Sequence, residues 1–277
     1  MSAGDPQVIL ELQALNRRFG GLVATDNVDL SVFQGEILGI IGPNGAGKST
    51  ILNMLSGTLS PSSGKIVYRG VNIAGKPAHK MSMLGIARVY QGNVLFPNLT
   101  CETNVLIGAH GRTARGFWGS LVGAPYSRSL ERQMLAKANG ILELLGLADC
   151  AEVLAHNLPH GKQRLLCLAV ALASDPALLL LDEPVTGMNG SEVAEMLRVI
   201  QMLHARTPIT SIVVEHNMPA VMKLCHRIAV ISYGAKIAEG TPAEISRDPL
   251  VIEAYLGAER GTDDLDRTAD DDARGVD

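Results

Sequence analysis

The feature that most constrains this chain is a glycine-rich loop between an apolar segment and an apolar helical pattern. The segment Ile37–Ile41 is apolar throughout. It is followed by eight residues that fit the pattern G-x-x-x-x-G-K-S/T, namely Gly42, Pro43, Asn44, Gly45, Ala46, Gly47, Lys48 and Ser49, and then by Thr50. Glycines let backbone N–H groups wrap a polyphosphate at a helix N-terminus, where the helix dipole favours anions. The order strand, loop, helix therefore predicts a phosphate-binding loop in which Lys48 reaches the outer phosphates and the Ser49 hydroxyl completes a Mg²⁺ shell.

Other segments predict an α/β core around this loop. Strands that are apolar on both faces, as in a covered parallel sheet, are predicted at 178–181, 212–214 and 228–231. Apolar residues recur at helical spacing between Leu130 and Leu145, where Gly146 ends the pattern, and between Val193 and Leu203. Buried strands that alternate with amphipathic helices indicate an α/β fold.

Two further regions extend that core. Alternating apolar and polar residues at 10–13 and 28–32, and a hairpin at 65–73, predict an antiparallel sheet. Residues 92–165 contain no convincing buried strand, so we expect them to form a mostly helical insertion.

A second chemical motif follows the strand at 178–181, where Asp182 and Glu183 end an apolar run. The carboxyl end of a parallel strand is the usual ligand edge. There Asp182 can hold Mg²⁺ through water, and Glu183 can accept a proton from a water that attacks the γ-phosphate. A strand followed by an acidic turn is common in itself, but the phosphate-binding loop upstream makes hydrolysis of a nucleotide the better interpretation. His216 follows another buried strand and reaches the same edge.

These motifs, together with others in a fixed order over about 8–257, resemble those of the ATP-binding cassette (ABC) ATPases. Phe19 matches the aromatic that stacks on adenine, Gln91 the glutamine that senses Mg²⁺ and the attacking water, and His216 the histidine that contacts the γ-phosphate. The resemblance implies a P-loop NTPase cassette: a mixed RecA-like core sheet, an antiparallel β subdomain and a helical subdomain. It also implies ATP and Mg²⁺ as cofactors, with Glu183, His216 and Gln91 as catalytic residues. The implied metal-binding residues are Ser49, Gln91 and Asp182.

The loop at 158–164 matches the family's signature loop, which faces the nucleotide bound to a second subunit. It departs from the common Leu-Ser-Gly-Gly-Gln form, because Pro159, His160 and Lys162 replace the serine, the first glycine and the glutamine. Loss of the serine removes a hydrogen bond worth about 0.5–1.5 kcal/mol and leaves the backbone N–H groups near Gly161. Lys162 would either supply a compensating charge or point to solvent.

Two stretches, 111–129 and 240–257, narrow the resemblance to the ATPase subunits of branched-chain (hydrophobic) amino-acid importers. This implies two integral membrane permease subunits, a second ATPase subunit and, indirectly, an extracytoplasmic binding protein that selects the substrate. We expect a heterodimer of ATPases, and a homodimer stays open.

Leu95, Phe96 and Pro97 are candidates for permease docking, with ordinary packing equally able to explain them. Asn189 falls in the loop that crosses the dimer, where many members carry aspartate.

Composition excludes several other classes. The chain is 47% apolar and 19% charged, which is too apolar for a disordered protein. Its longest apolar run, 165–173, is about half the roughly 18–20 residues of a membrane helix, and no secretory leader pattern follows Met1. The four cysteines form no CxxC pair, which fits buried thiols in a reducing compartment. Together with the resemblance to importer ATPases, which implies membrane partners, this leads us to expect a peripheral protein on the cytoplasmic face of the membrane.

The charge divides the chain into two parts. Residues 261–277 carry seven aspartates and two arginines, which gives them a net charge of −5. Because the whole chain has a net charge of −4, residues 1–260 have a net charge of about +1. We expect 1–260 to form the ATPase domain and 261–277 a disordered acidic tail. A near-neutral body argues against nucleic acid as a partner.

Three alternatives remain from the sequence. Urea and short-chain amide importers have closely similar ATPases. A soluble ABC ATPase without a transport role is disfavoured, because the chain has neither long coiled coils nor a second cassette. A regulatory or assembly subunit with incidental hydrolysis is kept open by the altered signature loop.

Overall fold

The computed structural model describes residues 7–110 and 126–255 of the chain. The strands are β1 Val8–Phe19, β2 Leu22–Phe33, β3 Ile37–Ile41, β4 Ser63–Tyr68, β5 Val71–Asn72, β6 Ile86–Val89, β7 Leu178–Asp182, β8 Thr210–Val214, β9 Arg227–Ser232 and β10 Ala235–Gly240. The α-helices are α1 Lys48–Leu55, α2 Ala78–Met83, α3 Cys101–His110, α4 Tyr126–Leu144, α5 His160–Leu172, α6 Gly190–Arg206, α7 Met218–Leu224 and α8 Pro242–Ile245. Short 3-10 turns lie at Ala148–Cys150 and Ala155–Asn157, and a last helical segment runs over 249–255.

A six-stranded sheet forms the centre of the fold, in the order β10-β9-β3-β8-β7-β6. The pairs from β9 to β6 are parallel, and β10 runs antiparallel to β9. The four buried strands predicted from the sequence are all present. Sequence reasoning did not identify β6 as a buried strand, because Arg88 interrupts its short apolar run.

The predicted antiparallel sheet is also confirmed, in the order β2-β1-β4-β5. Leu10 pairs with Val32 and Leu12 with Leu30, so the alternating residues of both strands bury one face. This face packs with α1 and with Met81 of α2 against one side of the central sheet, and helices α3 to α8 supply much of the core on the other side.

Alternation along the buried strands explains this layering. In β7, Leu178 and Leu180 belong to the core beneath α1, whereas Leu179 and Leu181 belong to the core beneath the other helices. Each fully buried leucine contributes about 1.5–3 kcal/mol of transfer free energy, so both faces hold the sheet in place. Such a sheet offers its strand ends, rather than its faces, for chemistry.

Two helical predictions are confirmed, since α4 covers most of the 130–145 pattern and α6 covers 193–203. Gly146 adopts a φ of 70°, a conformation in which glycine is favoured after a helix. Residues 111–125 of the 111–129 stretch, and the acidic tail at 261–277, lie outside the described residues. Across the described ranges, no helix combines the length and the apolar character that crossing a membrane requires.

Candidate active site

The carboxyl ends of four neighbouring parallel strands meet at one edge of the central sheet. β3 runs into the phosphate-binding loop and β7 into Glu183. β8 is followed by Glu215 and His216, and β6 is followed after Tyr90 by Gln91. The order β3-β8-β7-β6 therefore gathers residues that are up to 174 positions apart, from Gly42 to His216, at one edge.

The phosphate-binding loop is held by two glycines that no other residue can replace without strain. Gly42 has a φ of 150°, and a Cβ there would lie 1.9 Å from the Ile231 carbonyl oxygen. Gly47 has a φ of 104°, and its Cβ would lie 2.2 Å from the Ala24 carbonyl oxygen. The loop is therefore seated against β9 on one side and β2 on the other, and it opens into α1 at Lys48.

Lys48 is buried within the curve of this loop. Its Nζ donates to the carbonyl oxygens of Gly42 and Pro43, each at 2.7 Å. Burial lowers the pKa of Lys48, and the negative charge of Glu183 opposes that shift. An ammonium group held by two carbonyl oxygens in a glycine-rich loop is placed to exchange these neutral acceptors for phosphate oxygens.

Two residues predicted to be catalytic, Gln91 and His216, converge on the carboxylate of the third, Glu183. Gln91 Nε2 donates to Glu183 Oε2 at 2.6 Å, and His216 Nδ1 lies 3.5 Å from Glu183 Oε1. Thr186 Oγ1 also donates to Glu183 Oε2, at 3.1 Å. Glu183 has a φ of 48°, an uncommon conformation for a residue with a side chain and one that recurs at active sites. The geometry gives Glu183 the surroundings that a general base requires.

Asp182 is paired with a cation that sequence reasoning missed. Arg88 donates to Asp182 Oδ2 at 2.7 Å, and the two side chains are only 7% and 9% exposed. The same guanidinium donates to Asn53 Oδ1 at 2.7 Å and to Ser56 Oγ at 3.0 Å, both at the C-terminal end of α1. Arg88 therefore fixes α1 against β6 and β7. No sequence signal joins residues 94 positions apart, although an arginine within a short apolar strand is a reason to look for a buried partner.

Glu215 is the second residue that sequence reasoning missed. Its side chain accepts from the backbone N–H of Val185 at 3.0 Å, and from those of His216 at 3.0 Å and Asn217 at 3.1 Å. A buried carboxylate satisfied by backbone donors stabilises the turns that supply them. Glu215 thus joins the turn after Glu183 to the turn that carries His216.

Phe19 ends β1 at the tight turn to β2, and its ring is 45% exposed. One face is covered, because the Arg17 guanidinium carbon lies 4.5 Å from the ring centroid. The hairpin reaches the phosphate-binding loop through Ala24, whose carbonyl oxygen faces Gly47. The predicted base-stacking residue is therefore surface-exposed, on the hairpin whose second strand contacts the loop.

The signature loop lies on the helices rather than at the strand ends. α5 begins at His160, with Pro159 as its N-cap, and both side chains are exposed. The backbone N–H of Gly161 donates to Glu192 Oε1 at 3.2 Å. Lys162 Nζ lies 3.4 Å from Cys150 Sγ. Its ammonium group thus contacts its own subunit, while the side chain is exposed.

Side chains tie the segment after Gln91 to the start of α5. Asn93 Nδ2 donates to Gln163 Oε1 at 2.8 Å, and Arg164 donates to the Tyr90 carbonyl oxygen at 3.2 Å. The residues on both sides of Gln91 are therefore hydrogen-bonded to the start of the signature helix.

Asn189 has a structural role that its sequence context could have revealed. Its Oδ1 accepts from the backbone N–H groups of Ser191 at 3.0 Å and Glu192 at 3.1 Å. The Asn189 N–H in turn donates to Glu192 Oε2, which completes a capping box at the start of α6. The spacing of Asn189 and Glu192 is the signal for this motif.

Comparison with known proteins places this geometry in a family. The family described as ABC transporter matches residues 25–186. The chain belongs to the ABC transporter family. A second family, described as branched-chain amino acid ATP-binding cassette transporter, matches residues 235–260 of this ABC protein.

Individual relatives agree with that membership. The chain is 38% identical to LivG of Escherichia coli K12, a high-affinity branched-chain amino acid transport ATP-binding protein, over 91% of the chain and 98% of the relative. It is 38% identical to BraF of Pseudomonas aeruginosa, with the same description, over 90% of the chain and 98% of the relative. The crystal structure of the ADP conformation of MJ1267, an ATP-binding cassette of an ABC transporter, has 29% identity and a TM-score of 0.78, over 91% of the chain and 99% of that structure.

These findings confirm the resemblance drawn from the motifs, and they confirm the cassette fold. The chain is an ATP-binding protein and an ATPase, as its family is.

Proposed function

We propose that this chain is the ATP-hydrolysing subunit of an importer for branched-chain or other hydrophobic amino acids, held on the cytoplasmic face of the membrane. The observation that carries the enzymatic part is the convergence of Gln91, His216 and Thr186 on Glu183 beside the buried Lys48. The transported substrate is inferred from the match of 235–260 and from the descriptions of LivG and BraF.

Glu183 is the general base in this proposal. A carboxylate at a strand end can accept the proton of a water aligned with the γ-phosphate. Gln91 and His216 orient that water and the phosphate, since both already contact the carboxylate. The Lys48 ammonium and the loop N–H groups bind the phosphates and stabilise charge in the transition state.

The residues proposed for Mg²⁺ form an all-oxygen set: the Ser49 hydroxyl, the Gln91 amide oxygen and the Asp182 carboxylate. Mg²⁺ prefers oxygen ligands and usually combines one or two carboxylates with water and substrate phosphates, so this set fits. The ion would neutralise charge between the phosphates when bound. Asp182 Oδ2 is engaged by Arg88, which supports binding through water, as the sequence predicts.

The test of the catalytic assignment is Glu183→Gln. We expect the variant to bind ATP with unchanged affinity, to lose steady-state hydrolysis and to accumulate a closed dimer with its partner subunit. Glu195→Gln is a matched control, because Glu195 is an exposed carboxylate on α6. Hydrolysis at the normal rate by the assembled Glu183→Gln complex would show that another group is the base.

Lys48→Ala tests the phosphate-binding loop independently. Removal of the ammonium group should weaken ATP binding strongly, because a charge-assisted contact to phosphate is lost. Isothermal titration with ATP measures this directly. An unchanged dissociation constant would contradict the role given to Lys48.

Transport requires partners, which we propose to be two permease subunits, a second ATPase subunit and an extracytoplasmic binding protein. We propose that a permease docks on the segment 94–99, and the exposure of Val94, Phe96 and Leu99 supports this role. Asn104 fixes the segment: its Oδ1 accepts from the Phe96 N–H, and its Nδ2 donates to the Phe96 carbonyl oxygen. Leu95 packs against the core instead, so Phe96 is the better candidate of the residues predicted for docking.

Reconstitution identifies the transported substrate. The chain, assembled with its permeases and binding protein in vesicles, should import leucine, isoleucine or valine in an ATP-dependent manner. Uptake of urea or short-chain amides, with no uptake of these amino acids, would favour the closely similar urea importer ATPases. ATPase activity without any response to a loaded binding protein would favour a function outside transport.

A further inference from the structure

The contact between Arg17 and Phe19 gives one face of an exposed ring a specific environment. Residues two apart on a strand project to the same side, which brings both side chains together. The Arg17 guanidinium carbon lies 4.5 Å from the centroid of Phe19. One of its nitrogens donates to the Ser60 carbonyl oxygen at 2.9 Å, so the guanidinium is anchored beneath the ring. Phe19 nevertheless remains 45% exposed.

The position of this pair relative to the phosphate-binding loop is set by β-sheet register. Arg17 pairs with Thr25 on β2, and the neighbouring Ala24 carbonyl oxygen lies against Gly47 of the loop. Phe19 is two residues further along β1, a displacement of about 7 Å. The ring is therefore within reach of the base of a nucleotide whose phosphates occupy the loop.

We infer that Arg17 is a positioning residue for the nucleotide base: it covers one face of Phe19 and holds the ring so that the other face stacks on the purine of ATP. This inference rests on the proposed ATP site and adds to it the residue that supports base recognition. A cation over one face attracts the electron density of the ring, which reduces its repulsion of a second π-system on the opposite face. A ring already fixed by Arg17 also loses less conformational freedom when the base binds.

Binding of the base can be measured apart from binding of the phosphates, because Arg17 is proposed to act only on the base. The full-length protein is titrated by calorimetry with ATP and, separately, with inorganic tripolyphosphate, which lacks base and ribose. The variant is Arg17→Met, which keeps an apolar stem over the ring and loses the charge. Arg18→Met is the matched control, because Arg18 is the next residue, is exposed and loses the same charge.

We expect Arg17→Met to bind ATP about two- to fivefold more weakly, the range of a partly exposed cation–π contact, and to bind tripolyphosphate like the control. Arg18→Met should change both ligands equally and only through its long-range charge. In a Phe19→Ala background, Arg17→Met should have no further effect on ATP binding, since the ring through which it acts is gone.

Several results would overturn the inference. Equal losses of ATP affinity in Arg17→Met and Arg18→Met would mean that only net charge matters. A parallel loss of tripolyphosphate affinity in Arg17→Met alone would place its effect on the loop rather than on the base. If the wild type bound ATP and tripolyphosphate with equal affinity, the base would contribute nothing to binding. Failure of the wild type to bind either ligand would instead refute the proposed function.

Discussion

Replacement of Glu215 tests how the strand ends hold the active site together. Its carboxylate is 2% exposed and accepts hydrogen bonds from the backbone N–H groups of Val185, His216 and Asn217. Val185 lies two residues after Glu183, and His216 contacts Glu183 directly. Glu215→Ala therefore releases both turns that bring the catalytic carboxylate and the histidine together.

The expected cost follows from these bonds. A hydrogen bond to a charged group contributes about 1.5–3 kcal/mol, and a buried donor left unpaired costs about 1–3 kcal/mol. The Val185 N–H is buried and the other two are partly buried, so the three bonds are not equal. Since removal of a buried charge offsets part of the loss, we expect Glu215→Ala to lower the free energy of unfolding by about 2–4 kcal/mol. Glu215→Gln keeps one acceptor oxygen but turns an NH₂ donor towards an N–H donor. We expect it to lower the free energy of unfolding by about half as much as Glu215→Ala.

Chemical denaturation measures the stability, and hydrogen exchange of the Val185, His216 and Asn217 amides locates the change. Steady-state hydrolysis by the assembled complex should fall by about tenfold or more while ATP binding changes little, because the contacts of Lys48 are intact. Glu195→Ala on α6 controls for loss of an exposed carboxylate. The reasoning is wrong if Glu215→Ala retains wild-type stability and leaves the exchange of these three amides unchanged.

Three further predictions concern single residues. Burial lowers the pKa of His204 from an ordinary value of 6.5 to about 4, so the free energy of unfolding should fall by about 1–3 kcal/mol as pH drops from 6.5 through 4. His204→Gln should remove this contribution from the pH dependence measured in acid-denaturation curves. Gly47→Ala should cost roughly 2–4 kcal/mol and weaken ATP binding, since its Cβ would clash with the Ala24 carbonyl oxygen, and thermal unfolding with ATP titration measures both. Arg88→Met should destabilise the fold by about 3–5 kcal/mol, because it leaves Asp182 buried without its partner, and Arg88→Met with Asp182→Asn should recover much of that loss in denaturation experiments.

The parts of the fold that could be predicted from sequence are those fixed by local periodicity. Residues 37–41 and 178–181 are apolar on both faces, and a strand with that pattern has few stable places other than the centre of a covered sheet. Once two such strands are parallel neighbours of β8, their carboxyl ends must share an edge. The meeting of the phosphate-binding loop with Glu183 was predictable for that reason.

The supporting contacts could not be predicted, because they depend on register between distant segments. Arg88 reaches Asp182 only because β6 pairs in parallel with β7, so that Arg88 lies opposite Leu180. In the sequence, Glu215 is one more polar residue after a strand. Its role depends on the turn after the adjacent β7, which places the Val185 N–H 3.0 Å from its carboxylate. Sequence identifies residues that can react, whereas their supports become visible only when neighbouring strands are placed.

In the altered signature loop, a hydrogen bond that the sequence does not reveal changes the role expected for a backbone N–H group. The sequence left the Gly161 N–H as a donor for a phosphate on a second subunit, but here that group donates to Glu192. A helix leaves its first N–H groups without intrahelical partners, and in α5 the Gln163 N–H already bonds to the Pro159 carbonyl oxygen. Gly161 is thus engaged by Glu192, and within the described residues the N–H groups of His160 and Lys162 are the ones in this first turn that no other group accepts from. Because these are backbone groups, replacement of the usual serine and glutamine leaves the donors and the helix dipole in place, and it removes only their side-chain contribution.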